Sequence, residues 1–397
     1  MSAENAFLPY NRQTIDDDDI AAVVAILKSD FLTTGPAVVE FEKAFAEQVG
    51  AAHAVVVSSG TAALHIAAKA LDLGPGDAAI VPSVTFMATA NAVRFTGADV
   101  IFADVDPDNG LMGPQDLTDA LDRAQGRTVK AVLPVHLNGQ PCDMNAIHQI
   151  AQDNKLAVLE DACHALGGSI GDQPIGAGTA GQTIMFSLHP VKAIAMGEGG
   201  VLTTSDPYRA ERFRVLRNHG LIQARDSFRN EAAAFDANGD PNPWYYELHD
   251  PSPNYRASDI HCALGRSQLR KLERFTAQRH KLAALYDQEL ADLSPVLRPI
   301  EAVNWGESGH HLYPVLIDFD AIGRDRASLM GGLRKRNIGT QVHYIPVHRQ
   351  PYYADLCPDT TLPGADRYYA RCLSLPLSVS MDEDDVRRVA RALHAEL

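Results

Sequence analysis

Along this chain the spacing of apolar residues changes character several times, and each change predicts a structural boundary. Near the start, Thr14-Ile-Asp-Asp-Asp-Asp combines a hydroxyl suited to an N-cap with carboxylates in the first turn, where the helix dipole favours negative charge. Ile20, Val23, Val24 and Leu27 then share one face of the helix so begun. A break at Phe31-Leu-Thr-Thr-Gly-Pro36 leads into a second amphipathic helix through Phe41, Phe45 and Val49.

From about residue 53 the pattern becomes strand, turn and helix, repeated. His53 to Ser58, Ala78 to Val81, Val100 to Val105, Val129 to Val135 and Leu156 to Glu160 are short β-rich runs. Helical stretches around Thr61 to Leu73, Phe86 to Phe95, Gln115 to Arg123 and Asn145 to Asp153 lie between or beside them. Two further strand candidates, Thr183 to Ser187 and Gly200 to Thr204, follow. Such alternation predicts an α/β fold with a mainly parallel sheet covered by helices on both faces.

The polar segment Gln223 to Pro253, with its Trp244-Tyr-Tyr cluster, fits a long surface excursion and is a candidate lid. From Ser258 a helical pattern through Ile260, Leu264, Leu269, Leu272 and Phe275 opens a region of alternating strand and helix signals, His310 to Ile317 and Leu329 to Arg336 among them. The predicted division is a large domain over residues 1–257 and a smaller C-terminal domain over 258–397.

Composition narrows the partners. A length of 397 residues allows a large core with an appended smaller unit. Net charge is −15 and the basic residues are dispersed, so a nucleic-acid backbone would gain little from this surface and is not an expected partner. Five cysteines (Cys142, Cys163, Cys262, Cys357, Cys372) are an odd number without paired metal-ligand spacing. They read as reduced thiols of a cytoplasmic protein, and no metal site is expected. The first residues lack a basic segment followed by an apolar one, and no apolar run approaches the roughly 20 residues of a membrane span. A membrane is not an expected partner either.

Four separated stretches carry candidate chemistry. Ser58-Ser-Gly-Thr-Ala-Ala-Leu follows a strand and opens a helix; its small residues let backbone N–H groups approach an anion such as phosphate. Glu160-Asp-Ala-Cys-His ends an apolar strand, placing the Asp161 carboxylate at the sheet edge where α/β folds bind ligands. Phe186-Ser-Leu-His-Pro-Val-Lys192 leaves another strand toward the same edge, with Ser187 as a second phosphate donor. A lysine amine attacks a carbonyl only after losing its proton, which burial or a nearby cation promotes. Thr85-Phe86 offers an aromatic ring to cover a planar group.

Together with Gly197-Glu-Gly-Gly, Asn254-Tyr-Arg, Gln341-Val-His-Tyr-Ile-Pro-Val-His and Leu373-Ser-Leu-Pro-Leu, these stretches resemble the DegT/DnrJ family of nucleotide-sugar aminotransferases, fold-type I pyridoxal-phosphate enzymes. The resemblance runs from about Pro9 to the C-terminus. It implies a large domain with a seven-stranded sheet, a smaller C-terminal α/β domain and a homodimer with shared active sites. Lys192 would bond the aldehyde of pyridoxal 5'-phosphate, Asp161 would meet the ring nitrogen, and His164 would lie beside the ring and its hydroxyl. Gly60, Thr61 and Ser187 would hold the phosphate, Phe86 would cover the ring, and Asn254 would reach a phosphate across the dimer interface. Ser58 stands where Asn is frequent, Leu188 where an aromatic is frequent, and Ala195-Met196 where threonines often precede the glycine turn.

The implied donor is glutamate, leaving as 2-oxoglutarate, and the implied acceptor is a keto-sugar carried by a nucleotide. Leu8-Pro-Tyr-Asn-Arg-Gln-Thr-Ile-Asp, Leu32-Thr-Thr-Gly-Pro, Arg217-Asn-His-Gly and Trp244-Tyr-Tyr-Glu look most like a branch that aminates a UDP-linked 4-keto hexose toward pseudaminic acid. By position, Thr34, His343, Tyr344 and His348 are candidates for the sugar-nucleotide side. Competing readings are an aminotransferase for a GDP- or dTDP-linked keto-sugar, a dehydratase and a non-catalytic relative. Lys192 argues against the dehydratase, because relatives that dehydrate sugars carry His there.

Overall fold

The computed structural model describes residues 6–124, 126–178 and 182–397. The predicted strands assemble into one sheet of β1 (His53–Val57), β2 (Asp77–Pro82), β3 (Asp99–Ala103), β4 (Thr128–Val132), β5 (Ala157–Asp161), β6 (Thr183–Ser187) and β7 (Gly200–Thr204). Their spatial order is β1-β7-β6-β5-β4-β2-β3. β7 runs antiparallel to both of its neighbours, while the other pairings are parallel. The carboxyl ends of β1, β2, β5 and β6 therefore meet at one edge, and this is where the chemistry-bearing stretches emerge.

Both sheet faces are covered, as the near-continuous apolar runs of the strands require. Along β1 the side chains alternate: Val55 and Val57 join one buried cluster with Leu64, Ile66 and Leu117, while Ala54 and Val56 join another with Phe41 and Phe45. Phe45 meets Phe186 of β6 edge to face at 5.3 Å. The helices Gly60–Ala70, Ala88–Phe95, Pro114–Arg123 and Met144–Asp153 lie within two residues of their predicted starts.

The first helix begins later than its sequence suggests. It spans Asp17–Leu27, and its N-cap is Asp16, whose carboxylate accepts from Asp19 N while the Asp19 side chain accepts from Asp16 N. A carboxylate cap of this kind stabilises a helix by about 1 kcal/mol and outcompetes the hydroxyl two residues earlier. The face carrying Ile20, Val24 and Leu27 remains exposed. The second helix, Pro36–Val49, has no side-chain cap of its own; Asp259 supplies one from a distance, accepting from Gly35 N at 2.8 Å and Ala37 N at 3.0 Å.

The helical pattern after Ser258 is two helices, Asp259–Leu269 and Leu272–Glu289, and the first packs back onto the two N-terminal helices. Beyond them, β8 (Leu297–Pro299), β9 (Tyr313–Ile317) and β10 (Cys372–Leu375) form a small antiparallel sheet in that order. A separate buried cluster, including Tyr286, Val315, Leu329, Leu375 and Leu393, joins this sheet to the helices Arg326–Lys335 and Glu383–Glu396. The segment 223–253 is largely irregular and solvent-facing, with Trp244 73% exposed. All five cysteines are free. Among the described residues no helix is long and apolar enough to cross a membrane.

Candidate active site

At the carboxyl edge of the sheet lies a cavity of about 560 Å³, within the range of small-molecule sites. Gly60, Thr61, Phe86, Asp161, His164, Ser187, Lys192, His343 and Tyr344 all line it. These residues come from four strand ends and from the C-terminal region.

One end of the cavity suits an anion. Ser59 caps the 11-residue helix Gly60–Ala70, accepting from Ala62 N at 3.1 Å, so the N–H groups of that first turn face the cavity side of the sheet. A Cβ on Gly60 would meet Ser187 Cβ at 2.9 Å and its Oγ at 3.1 Å. Only a residue without a side chain lets the helix start and the Ser187 hydroxyl share this corner.

Asp161, 4% exposed at the end of β5, receives two hydrogen bonds. Thr89 Oγ1 donates to Oδ2 at 2.7 Å and Cys163 N donates to Oδ1 at 3.1 Å. Phe86 lines the cavity and is 53% exposed, its ring centroid 6.0 Å from that of Tyr344.

Lys192 sits in the turn after β6 and is partly accessible from the cavity. Burial pushes its ammonium pKa down, against the opposing influence of Cys163 and Asp161. Arg279 fixes the turn from beneath, donating to Ala193 O at 3.2 Å and Lys192 O at 3.4 Å. His164 and His343 line the cavity with the lysine, and His311 packs against His164 at 4.5 Å. Burial, with Lys192 as a further cause, pushes His164 and His311 well down and His343 to about 3. At neutral pH they are uncharged rings.

The tautomer of His164 follows from its partners. Asn138 N donates to Nδ1 at 3.2 Å, so the proton of the neutral ring is on Nε2, which lies 3.1 Å from Tyr344 Oη. His343 Nδ1 is 2.8 Å from Ser374 Oγ.

Three predicted residues lie elsewhere. His348 is buried outside the cavity, its Nδ1 2.6 Å from Ser83 Oγ, because the 3-10 turn Val347–Arg349 swings the ring away. Thr34 lines a second cavity, of about 680 Å³, together with Arg214, Arg229, His249 and Arg256. Asn254 is exposed on the surface, with Oδ1 accepting from Arg256 N. No residue of 223–253 lines the Lys192 cavity among the described residues. Conversely, sequence reasoning did not single out Tyr10 and Thr89, which line the cavity, or Arg279, which braces the Lys192 turn. Thr89 had one available signal: it falls one helical turn after Thr85.

An anion corner, an exposed aromatic face, a buried carboxylate and a deprotonation-prone lysine around one cavity are the parts a phosphorylated pyridine aldehyde needs, and they fit that group. This defines a pyridoxal-phosphate-type transferase site on an α/β scaffold. Comparison with known proteins agrees: residues 13–394 match the DegT/DnrJ/EryC1/StrS aminotransferase family, and the chain belongs to it. The chain is 40% identical over 396 residues to the spore coat polysaccharide biosynthesis protein SpsC of Bacillus subtilis (strain 168), covering 99% of this chain and 98% of that protein. Helicobacter pylori PseC, an aminotransferase involved in the biosynthesis of pseudoaminic acid, superposes with a TM-score of 0.87 at 26% identity over 98% of this chain and 99% of that one. S. venezuelae DesV superposes with a TM-score of 0.84 at 31% identity over 98% of each chain. The protein is a sugar aminotransferase that uses pyridoxal 5'-phosphate.

Proposed function

We propose that this protein transfers an amino group from glutamate to a nucleotide-linked 4-keto-6-deoxy sugar, with UDP-linked 4-keto-6-deoxy-N-acetyl-β-L-altrosamine as the acceptor and the 4-amino sugar of a pseudaminic acid pathway as the product. The observation that carries the chemistry is the meeting of Lys192, Asp161, Ser187 and the Gly60 helix start in one cavity. Support for the acceptor comes from the resemblance of the opening segment and the Thr34 loop, and from the structural likeness to PseC.

When bound, pyridoxal phosphate supplies an electrophilic carbonyl carbon and a ring that draws off electron density, as exchange of an amine between glutamate and a ketone requires. In our assignment Gly60, Thr61 and Ser187 would hold its phosphate, Asp161 would hold its ring nitrogen, Phe86 would cover the ring and His164 would lie beside the ring and its hydroxyl. Lys192 Nζ, its proton made labile by desolvation, is the covalent partner and then the base and acid that moves a proton on the substrate side. Neutral His343 and Tyr344 present hydrogen-bonding groups to the sugar without adding charge.

We further assign Thr34 and Asn254 to a site completed by a second copy, Asn254 reaching that copy's phosphate. The uncovered apolar residues Ile20, Val24, Leu27 and Phe31 of the single chain are consistent with burial in a homodimer. His348 remains a candidate only as a support behind the site. Residues 1–257 and 258–397 are assigned to a large and a small domain; the separate C-terminal cluster begins at Leu282, and Cys262, Leu269, Leu272 and Phe275 pack with the large sheet. Five free thiols accord with work in the cytosol.

The test is amine transfer from glutamate to a panel of UDP-, GDP- and dTDP-linked 4-keto sugars, with products identified by mass and NMR. Transfer to the UDP substrate is expected. Turnover confined to a GDP or dTDP sugar would reassign the carrier, and loss of water without amine transfer would make the protein a dehydratase.

A further inference from the structure

Asp161 is held by a hydroxyl that no motif singled out. Thr89 Oγ1 lies 2.7 Å from Asp161 Oδ2, 2.9 Å from Thr85 Oγ1 and 3.3 Å from Phe86 O. All three side chains are nearly inaccessible, Thr85 at 2%, Thr89 at 0% and Asp161 at 4%. A hydroxyl has one proton to give. A threonine in the first turn of a helix ordinarily turns that proton back to a carbonyl of the preceding turn. Here the carboxylate is the nearer and more strongly attracting acceptor, so Thr89 donates to Asp161. Proton counting then makes Thr85 the donor to Thr89, and the two hydroxyls form a directed pair ending on the carboxylate.

The second donor to Asp161 is Cys163 N, on the turn that follows β5. The carboxylate is thus pinned at one oxygen by its own strand end and at the other by the helix Ala88–Phe95. That helix starts just after Phe86, so the aromatic ring at the cavity and the hydroxyl on Asp161 share a four-residue segment.

We propose that Thr89, supported by Thr85, is a positioning residue for Asp161: it fixes the carboxylate rotamer toward the cavity and thereby sets how firmly the ring nitrogen of the bound cofactor is held. This rests on the assignment of Asp161 to that nitrogen. The ring draws electrons less well when its nitrogen is held loosely, so groups conjugated to it become less acidic.

The experiment compares Thr89→Ala with Thr89→Ser in the full-length holoenzyme; both lose the methyl group, and only the first loses the hydroxyl. The visible absorbance of the bound cofactor is followed against pH, and the glutamate half-reaction is timed by stopped flow. Thr89→Ala should move the absorbance midpoint to higher pH and slow the half-reaction about ten- to hundredfold at little changed KM. Thr89→Ser should stay within about twofold of the parent. Should Thr89→Ala fail to fold, Thr85→Val, which removes only the outer donor, is read by the same shift in the same direction. An unmoved midpoint in Thr89→Ala, or an equal shift in Thr89→Ser, overturns the proposal. Asp161→Asn separates the two layers: if its midpoint also stays in place, the assignment of Asp161 falls and takes the proposal with it, whereas a shift there without one in Thr89→Ala removes the proposal alone.

Discussion

Tyr344 Oη lies 3.1 Å from His164 Nε2, while the amide of Asn138 occupies the other ring nitrogen, so a residue of the C-terminal region completes the hydrogen bonding of a histidine in the turn after β5. Burial keeps that ring neutral and the phenol protonated. Tyr344→Phe would strand a buried Nε2–H, at a cost of about 1–3 kcal/mol. A fall in the urea midpoint with unchanged slope is expected. A variant as stable as the parent would mean that the imidazole finds another acceptor.

Gly60 is held to glycine by space. Its missing Cβ would sit 2.9 Å from Ser187 Cβ, and neither the helix start nor β6 can retreat without disturbing the sheet. Gly60→Ala is expected to weaken cofactor binding about tenfold or more through displacement of the Ser187 hydroxyl, with an overpacking cost of about 1–3 kcal/mol. Equilibrium titration of the apo-protein with pyridoxal phosphate reads the first effect. Unaltered affinity would show that the phosphate is held elsewhere.

Arg279 is a buried guanidinium, pushed by desolvation to about 10, with no carboxylate partner among the described residues. It donates instead to the carbonyls of Lys192 and Ala193. In Arg279→Met the loss of those bonds is offset in part by relief of the buried charge, so global stability should change by no more than about 2 kcal/mol. The turn should loosen, and hydrogen exchange by mass spectrometry should show faster exchange across residues 188–197. Identical protection in both proteins would deny the guanidinium a holding role.

Glu247 organises the excursion. Its carboxylate accepts from Asn230 N at 2.8 Å, from Arg229 N at 2.9 Å and from Tyr245 Oη at 2.8 Å, and His249 pairs with it; these partners, led by the Asn230 amide, hold its pKa down at about 2. A depressed carboxylate contributes order that is complete above its ordinary value of 4.5 and is lost as pH falls toward about 2. Glu247→Gln should therefore be cleaved faster than the parent by trypsin after Arg225 or Arg229 at neutral pH. With an acid protease the difference should shrink below pH 4.5 and vanish near 2. Equal cleavage at pH 7 would place the ordering of this segment elsewhere.

The seven strands were legible because each is a short β-rich run closed by turn residues, and strand and helix periods are properties of the local backbone. Asp161 and Lys192 could be singled out because each belongs to a short motif of its own, Asp161 at the end of β5 and Lys192 in the turn five residues after β6. The first helix misled at its start because a hydroxyl and a carboxylate two residues apart both suit an N-cap, and only the reciprocal Asp16–Asp19 bonds choose between them.

By itself the sequence determined the α/β alternation, the sheet edge at which Asp161, Ser187 and Lys192 emerge and the class of enzyme to which the chain belongs. Tertiary structure alone decided which side chains meet: Thr89 with Asp161 across 72 positions, Arg279 with Lys192 across 87, Tyr344 with His164 across 180. It likewise turned His348 away to Ser83 and left Thr34 and Asn254 on a different surface from the lysine. Periodicity states which residues share a face of one element. Which faces then come together depends on packing between segments far apart in the chain, and no local spacing encodes that.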